Sequence, residues 1–222
     1  MTIAENSMQR PSLTSLTRKA GAVTALALGL LVSGAYAKID DSARYEPVAP
    51  TIDQARANIL IARQLQFTHF RNLGISDELS GDVFDAYLNY LDSQRIYLTQ
   101  EDIDALSRVK KHLGSALKTG QLQPGFDIYN LVQQRVIERL KFALGLIDNG
   151  IEQLDFTADD RIRVDRSEAP WEANQAALDE LWTKRIKNAV LAQRLNGADD
   201  DAIEETLRRR YEGQLKRAYQ AR

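Results

Sequence analysis

Residues 124–150, PGFDIYNLVQQRVIERLKFALGLIDNG, decide the fold class. Phe126, Tyr129, Val132, Val136, Leu140 and Leu144 recur at three or four residues, the spacing of one face of an α-helix. Pro124 and Gly125 open the helix, and Asn149 and Gly150 stop it. Working back toward the N-terminus, Thr99 with Asp102 makes a capping box, in which each side chain takes the other's free backbone amide. Ile103, Leu106, Leu113 and Leu117 follow, so one helix is expected from 99 to Gly120. An earlier helix begins near Ser80, with Val83, Phe84, Tyr87, Leu88 and Leu91 as its apolar stripe. The first begins at Thr51, boxed with Gln54, and carries Ile52, Ile59, Leu60, Arg63 and Phe67. It should run to about Asn72, where Gly74 ends it.

Past Gly150 the pattern loosens. Residues 151–170 read as a charged surface excursion, with a short extended piece expected at Ile162, Arg163 and Val164. Residues 171–195 form a long amphipathic helix whose inward positions are Leu178, Leu181, Trp182, Ile186, Val190 and Leu191, with Gly197 as its C-cap. Residues 198–222 are helical again. Asp199, Asp200 and Asp201 lie at the positive end of that helix dipole, and Arg208, Arg209 and Arg210 further along. No segment alternates with period two long enough to be a strand. The fold class is all-α, with about six helices spanning 51–222.

The front of the chain reads differently. Arg10, Arg18 and Lys19 precede a run of about 13 uncharged, mostly apolar residues over 20–32, the anatomy of a secretory signal peptide. A bilayer-spanning helix needs ~18 or more. Ala35, Tyr36 and Ala37 supply the small residues of a cleavage site, so cleavage is expected after Ala37, with an uncleaved N-terminal anchor as the alternative. Residues 1–37 are thus assigned to the leader and 38–50, which hold Pro47 and Pro50, to an extended lead-in. The expected address is the periplasm, with no stable membrane insertion after cleavage.

Composition narrows the function. The chain has 222 residues, 44% hydrophobic and 27% charged, with a net charge of −2. Removing the leader's three basic and one acidic residue takes the charge to −4. That mildly acidic surface, without a long basic block, argues against a nucleic-acid partner. The sequence holds no cysteine, which removes disulfides, thiolate nucleophiles and lipoprotein modification. About 185 residues remain after the leader, enough for one helical core.

Candidate chemistry is thin. Neither His69 nor His112 has a second ligand at i+3 or i+4, so each is read as a partly buried or capping residue and not as a metal ligand. Ser107 and Lys111 stand one turn apart, as a Ser–Lys pair would. The spacing is common in charged helices, and an exposed Lys stays protonated at neutral pH. Asp92, Asp102 and Asp104 are explained by capping and solvation. No catalytic, cofactor-binding or metal-binding residue is assigned. Trp171 and Trp182, about three turns apart on one expected helix, anchor the core; a client groove is the sharper reading of the same pair.

An ordered set of residues carries a resemblance. It comprises Phe67-Thr68-His69-Phe70, then Leu79 to Phe84, then LNYLDSQRIYL over 88–98 followed by Asp102-Ile103. Phe126 to Tyr129, Asp155-Phe156, Trp171, Trp182 to Lys187, and Arg209-Arg210-Tyr211 complete it. In this order they resemble the N-terminal helical region of the tail-specific (carboxy-terminal processing) proteases of Gram-negative bacteria, over about 51–222. Ser93 stands where that family often has Pro, and Leu98 where it often has Phe.

The resemblance implies a parent that is an ATP-independent periplasmic serine endopeptidase, acting on envelope proteins recognised by apolar C-termini. In such proteins a PDZ domain and a protease domain with a Ser nucleophile and Lys base follow this region, and neither occurs by Arg222. Ser107 and Lys111 are not those residues. The helical part is then expected to cradle substrate and dock a regulatory adaptor, without a cofactor. A free-standing helical adaptor or holdase, and an envelope structural protein, are the other readings open at this point.

Overall fold

The computed structural model describes residues 44–68 and 77–221, without the side chains of 66–68, 77 and 78. The leader assigned to 1–37, its cleavage at Ala37, His69 and the Gly74 stop all lie outside the described residues.

The described residues form seven α-helices and no strand: α1 (Ile52–Thr68), α2 (Asp77–Leu91), α3 (Gln100–Ala105), α4 (Ser107–Thr119), α5 (Gln123–Asp148), α6 (Gln175–Leu195) and α7 (Asp200–Gln220). Both capping boxes form. The Gln54 N–H donates to Thr51 Oγ1 at 3.2 Å and the Thr51 N–H to Gln54 Oε1 at 2.8 Å; Thr99 and Asp102 repeat the exchange ahead of α3.

The helix expected from 99 to 120 is two helices. At Leu106 the ladder tightens, the Val109 N–H reaching the Leu106 carbonyl three residues back at 2.9 Å. Leu106 itself is buried, and no Gly or Pro marks the break, so periodicity could not reveal it. The expected start of α6 at Trp171 is four residues early. Asn174 caps the helix by accepting the Ala177 N–H at 3.1 Å, and the Glu172 carbonyl is taken by the Gln100 N–H at 2.8 Å. The 162–164 piece belongs to no strand; the one bridge among the described residues joins Thr99 and Glu172.

Two apolar clusters divide the core, and α5 runs through both. The first gathers the C-terminal half of α5 (Ile137, Leu140, Ile147) with α6 (Leu178, Trp182, Ile186) and α7 (Ile203, Leu207, Leu215). The second gathers the start of α5 (Ile128, Val132) with Phe84 and Leu88 of α2, Leu106, and Leu113 of α4. Val136 touches both. The buried stripe of α5 is therefore Ile128, Val132, Ile137, Leu140, Ala143 and Ile147. Phe126, Tyr129, Val136 and Leu144, expected inward, are half-buried flanks of it. Leu191 is also a correction, being 42% exposed.

Candidate functional site

The family-like stretch 91–98 is where the two clusters are tied together. Asp92 ends α2 buried, and its carboxylate accepts three backbone N–H groups: Ile96 at 2.9 Å, Tyr97 at 2.9 Å and Leu98 at 3.0 Å. That carboxylate stands in for the hydrogen-bond partners a loop at this depth would otherwise lack. The fold it imposes sends Ile96 into the first cluster and Leu98 into the second. Arg95, held at φ 50°, donates to the Ala169 carbonyl and lies 5.4 Å from the Trp171 ring centroid. Arg166, buried beside it, donates to Glu172 at 2.8 Å.

The carboxylates of this region do structural work. Asp102 is buried, and besides capping α3 it receives the Arg135 guanidinium at 2.8 Å. Asp104 is exposed and accepts the Gln100 side-chain amide at 2.9 Å. The two tryptophans separate. Trp182 is buried in the first cluster, and Trp171 packs half-buried against the second. They share no helix face, because α6 begins after Trp171, so a groove made by that pair does not exist.

The concave surface lies elsewhere. One cavity of about 400 Å³ is lined by Val48, Thr51, Gln54, Tyr87, Phe126 and Tyr129 among others. A second, of about 260 Å³, is lined by Val83, Tyr87, Leu113, Leu117 and Phe126 with Leu122 and Gly125. Tyr87 and Phe126 line both, so the two lie side by side as a trough between the start of α1, α2, α4 and the start of α5. The Tyr87 hydroxyl donates to the Gly125 carbonyl at 3.3 Å. Burial, then the neighbouring Tyr129 and Tyr90, push the Tyr87 phenol above its ordinary value, so it remains a neutral hydroxyl at physiological pH. Walls of this kind suit binding of apolar side chains. The signal missed in the sequence was that Phe126 and Tyr129 sit one step off the truly buried stripe of α5.

Along its length α1 leaves apolar side chains in solvent: Ile52, Leu60, Ile61 and Leu65 are each about half or more exposed. Among its described side chains Ala55, Asn58, Ile59 and Ala62 are the ones withdrawn from solvent, on the helix that packs against α4. The Asn58 amide donates to the Leu117 carbonyl, which also accepts the Gly120 N–H at the end of α4, at 3.2 Å.

Of the residues weighed for chemistry, Ser107, Lys111 and His112 are all exposed on α4. His112 is therefore neither buried nor a cap, contrary to expectation; its carbonyl accepts the Ser115 hydroxyl at 2.9 Å. No cluster of three or more His, Cys, Asp or Glu suited to a metal occurs among the described residues. No described helix is long and apolar enough to cross a membrane.

Comparison with known proteins places the chain. Residues 61–222 match the family model described as the tail-specific protease N-terminal domain. The tail-specific protease of Haemophilus influenzae is 31% identical over 160 residues, covering 72% of this chain and 23% of that protein. The chain thus spans less than a quarter of the length of that relative.

Proposed function

This chain belongs to the tail-specific protease family, whose N-terminal domain it carries, and from that premise we propose that it is the exported, non-catalytic helical part of a periplasmic serine endopeptidase. In this reading residues 1–37 are removed as a signal peptide, 38–50 lead in, and 51–222 are the domain. The parent protein degrades or processes envelope proteins from apolar C-termini, using a PDZ domain for capture and a Ser–Lys dyad for hydrolysis. The helical part cradles the client and offers a surface to a regulatory adaptor.

The observation that carries the cradle is the trough around Tyr87 and Phe126, together with the exposed Leu60, Ile61 and Leu65 on α1, the helix whose start lines it. Scattered exposed apolar residues are ordinary on a protein surface. An apolar concavity together with several exposed apolar side chains on one helix is what polypeptide-binding surfaces look like. The test has two arms. Reading the gene past codon 222 should reveal an in-frame PDZ segment and a Ser–Lys protease core; a stop codon there favours the free-standing adaptor. Purified 38–222 should bind a peptide with an apolar C-terminus without cleaving it. Turnover abolished by Ser107→Ala would overturn the non-catalytic assignment.

A further inference from the structure

We propose that the lead-in segment at 44–50 is a displaceable strap, and that the trough beneath it receives an extended apolar stretch of a client polypeptide in its place. The proposal rests on the cradle reading above and gives it a site.

The strap is held in a particular way. The Asn130 side-chain amide, on α5, accepts the Val48 N–H at 2.9 Å through Oδ1 and donates to the Val48 carbonyl at 2.8 Å through Nδ2. Exchange of both backbone groups of one residue is the pairing of an antiparallel ladder, here supplied by a side chain. The Tyr45 hydroxyl adds a 2.7 Å bond to the same Oδ1. Recognition through the backbone selects an extended chain and not a sequence.

What the strap places in the trough is small. Val48 lines the cavity of about 400 Å³ beside Tyr87, Phe126 and Tyr129, and two of these, Tyr87 and Phe126, also line the apolar cavity of about 260 Å³. The space beside Val48 is open to solvent, so a larger apolar side chain seated there would bury wall surface that valine leaves exposed. A segment carrying Leu or Phe where Val48 sits would gain the contacts that the strap leaves unmade. Pro47 and Ala49 are exposed, so the strap is held chiefly by Asn130 and by Tyr45, which packs half-buried against the first cluster. Being tethered, the strap still competes at high effective concentration, and clients should bind weakly until it is loosened.

The probe is a fluorescein-labelled decapeptide alternating Ser with Leu and Phe, titrated against 38–222 and read by anisotropy. Val48→Pro removes the N–H that Asn130 accepts, and should raise affinity about tenfold, the worth of a lost hydrogen bond that the free peptide does not lose. Tyr45→Phe is the milder loosening and should give a smaller gain. Adding Asn130→Ala to either variant should abolish the gain, because the peptide then loses the same partner. Peptide binding that is equal in all variants would leave the cradle reading standing but overturn the strap and its site. No binding by any variant would overturn both.

Discussion

The indole Nε1–H of Trp182 donates to the backbone carbonyl of Ile96 at 2.6 Å, across 86 residues of sequence, with both residues buried. Trp182 stands between Tyr97 and Tyr211, with ring centroids 5.9 and 6.3 Å away. The bond fixes where the 91–98 loop meets α6, and the rings close the cluster around it. Trp182→Phe keeps an aromatic ring but leaves the Ile96 carbonyl buried without that donor. An unsatisfied buried group costs about 1–3 kcal/mol, to which the smaller ring adds a cavity. Urea unfolding should show the midpoint falling with little change in slope; a loss under about 0.5 kcal/mol would mean that the carbonyl finds another donor.

Asp92 and Ser93 should respond in opposite directions. Asp92→Asn leaves one carboxamide oxygen and turns an NH₂ toward N–H donors that the carboxylate now accepts. The expected loss is about 2–3 kcal/mol, the scale of charge-assisted bonds. Ser93 is exposed at the second position of the turn closed by the Arg95 N–H to the Asp92 carbonyl, 3.0 Å. Proline is favoured there, and Ser93→Pro should stabilise by about 0.4–1 kcal/mol through the unfolded chain. Both are read from equilibrium unfolding; a destabilising Ser93→Pro would show that the Ser93 N–H has a structural partner.

How much of this could be seen beforehand follows from what each contact depends on. The Thr51–Gln54 and Thr99–Asp102 caps were legible because a cap is a contact over three residues. So were the stripes of α2 and α6, which are local periodicities. The break at Leu106 was not, since it follows from packing and not from a helix breaker. The burial of Asp92 was hidden for a related reason: a carboxylate serving three amides looks, in sequence, like any solvated Asp before a turn. The trough was illegible because it depends on which of two adjacent α5 stripes, Phe126–Tyr129 or Ile128–Val132, the other helices choose to cover.

Two glycines allow α1's attachment to be isolated. Gly120 has φ 77°, and a Cβ there would come within 2.8 Å of Ile59 and 3.1 Å of the Ala55 carbonyl oxygen. Gly197 has φ 82° with nothing within 4 Å of the added atom. Each Gly→Ala change carries a left-handed penalty of about 1–2 kcal/mol. Gly120→Ala must also push α1 away from α4. Hydrogen exchange of the α1 amides should therefore accelerate in Gly120→Ala and stay unchanged in Gly197→Ala. Equal behaviour of the two variants would show that α1 is held by contacts other than Ile59 over Gly120.

The start of α7 should be acid-sensitive through one fork. Arg194 Nε and a terminal guanidinium nitrogen each donate to Asp200, both at 2.8 Å, and Arg194 lies 4.5 Å from the Phe156 ring centroid. Those bonds hold the Asp200 carboxyl below its ordinary 3.8. A carboxylate whose folded value is depressed contributes stability that is present above the unfolded value and lost as pH falls through the folded one. The pair is exposed, so the effect is small and screened by salt. Thermal unfolding of the wild type and Asp200→Asn, compared from about pH 7 to about pH 2, should show the wild type melting higher at the neutral end and the two curves meeting in acid. A gap that persists at the acid end would assign the difference to the uncharged side chain at that position and not to the ion pair with Arg194.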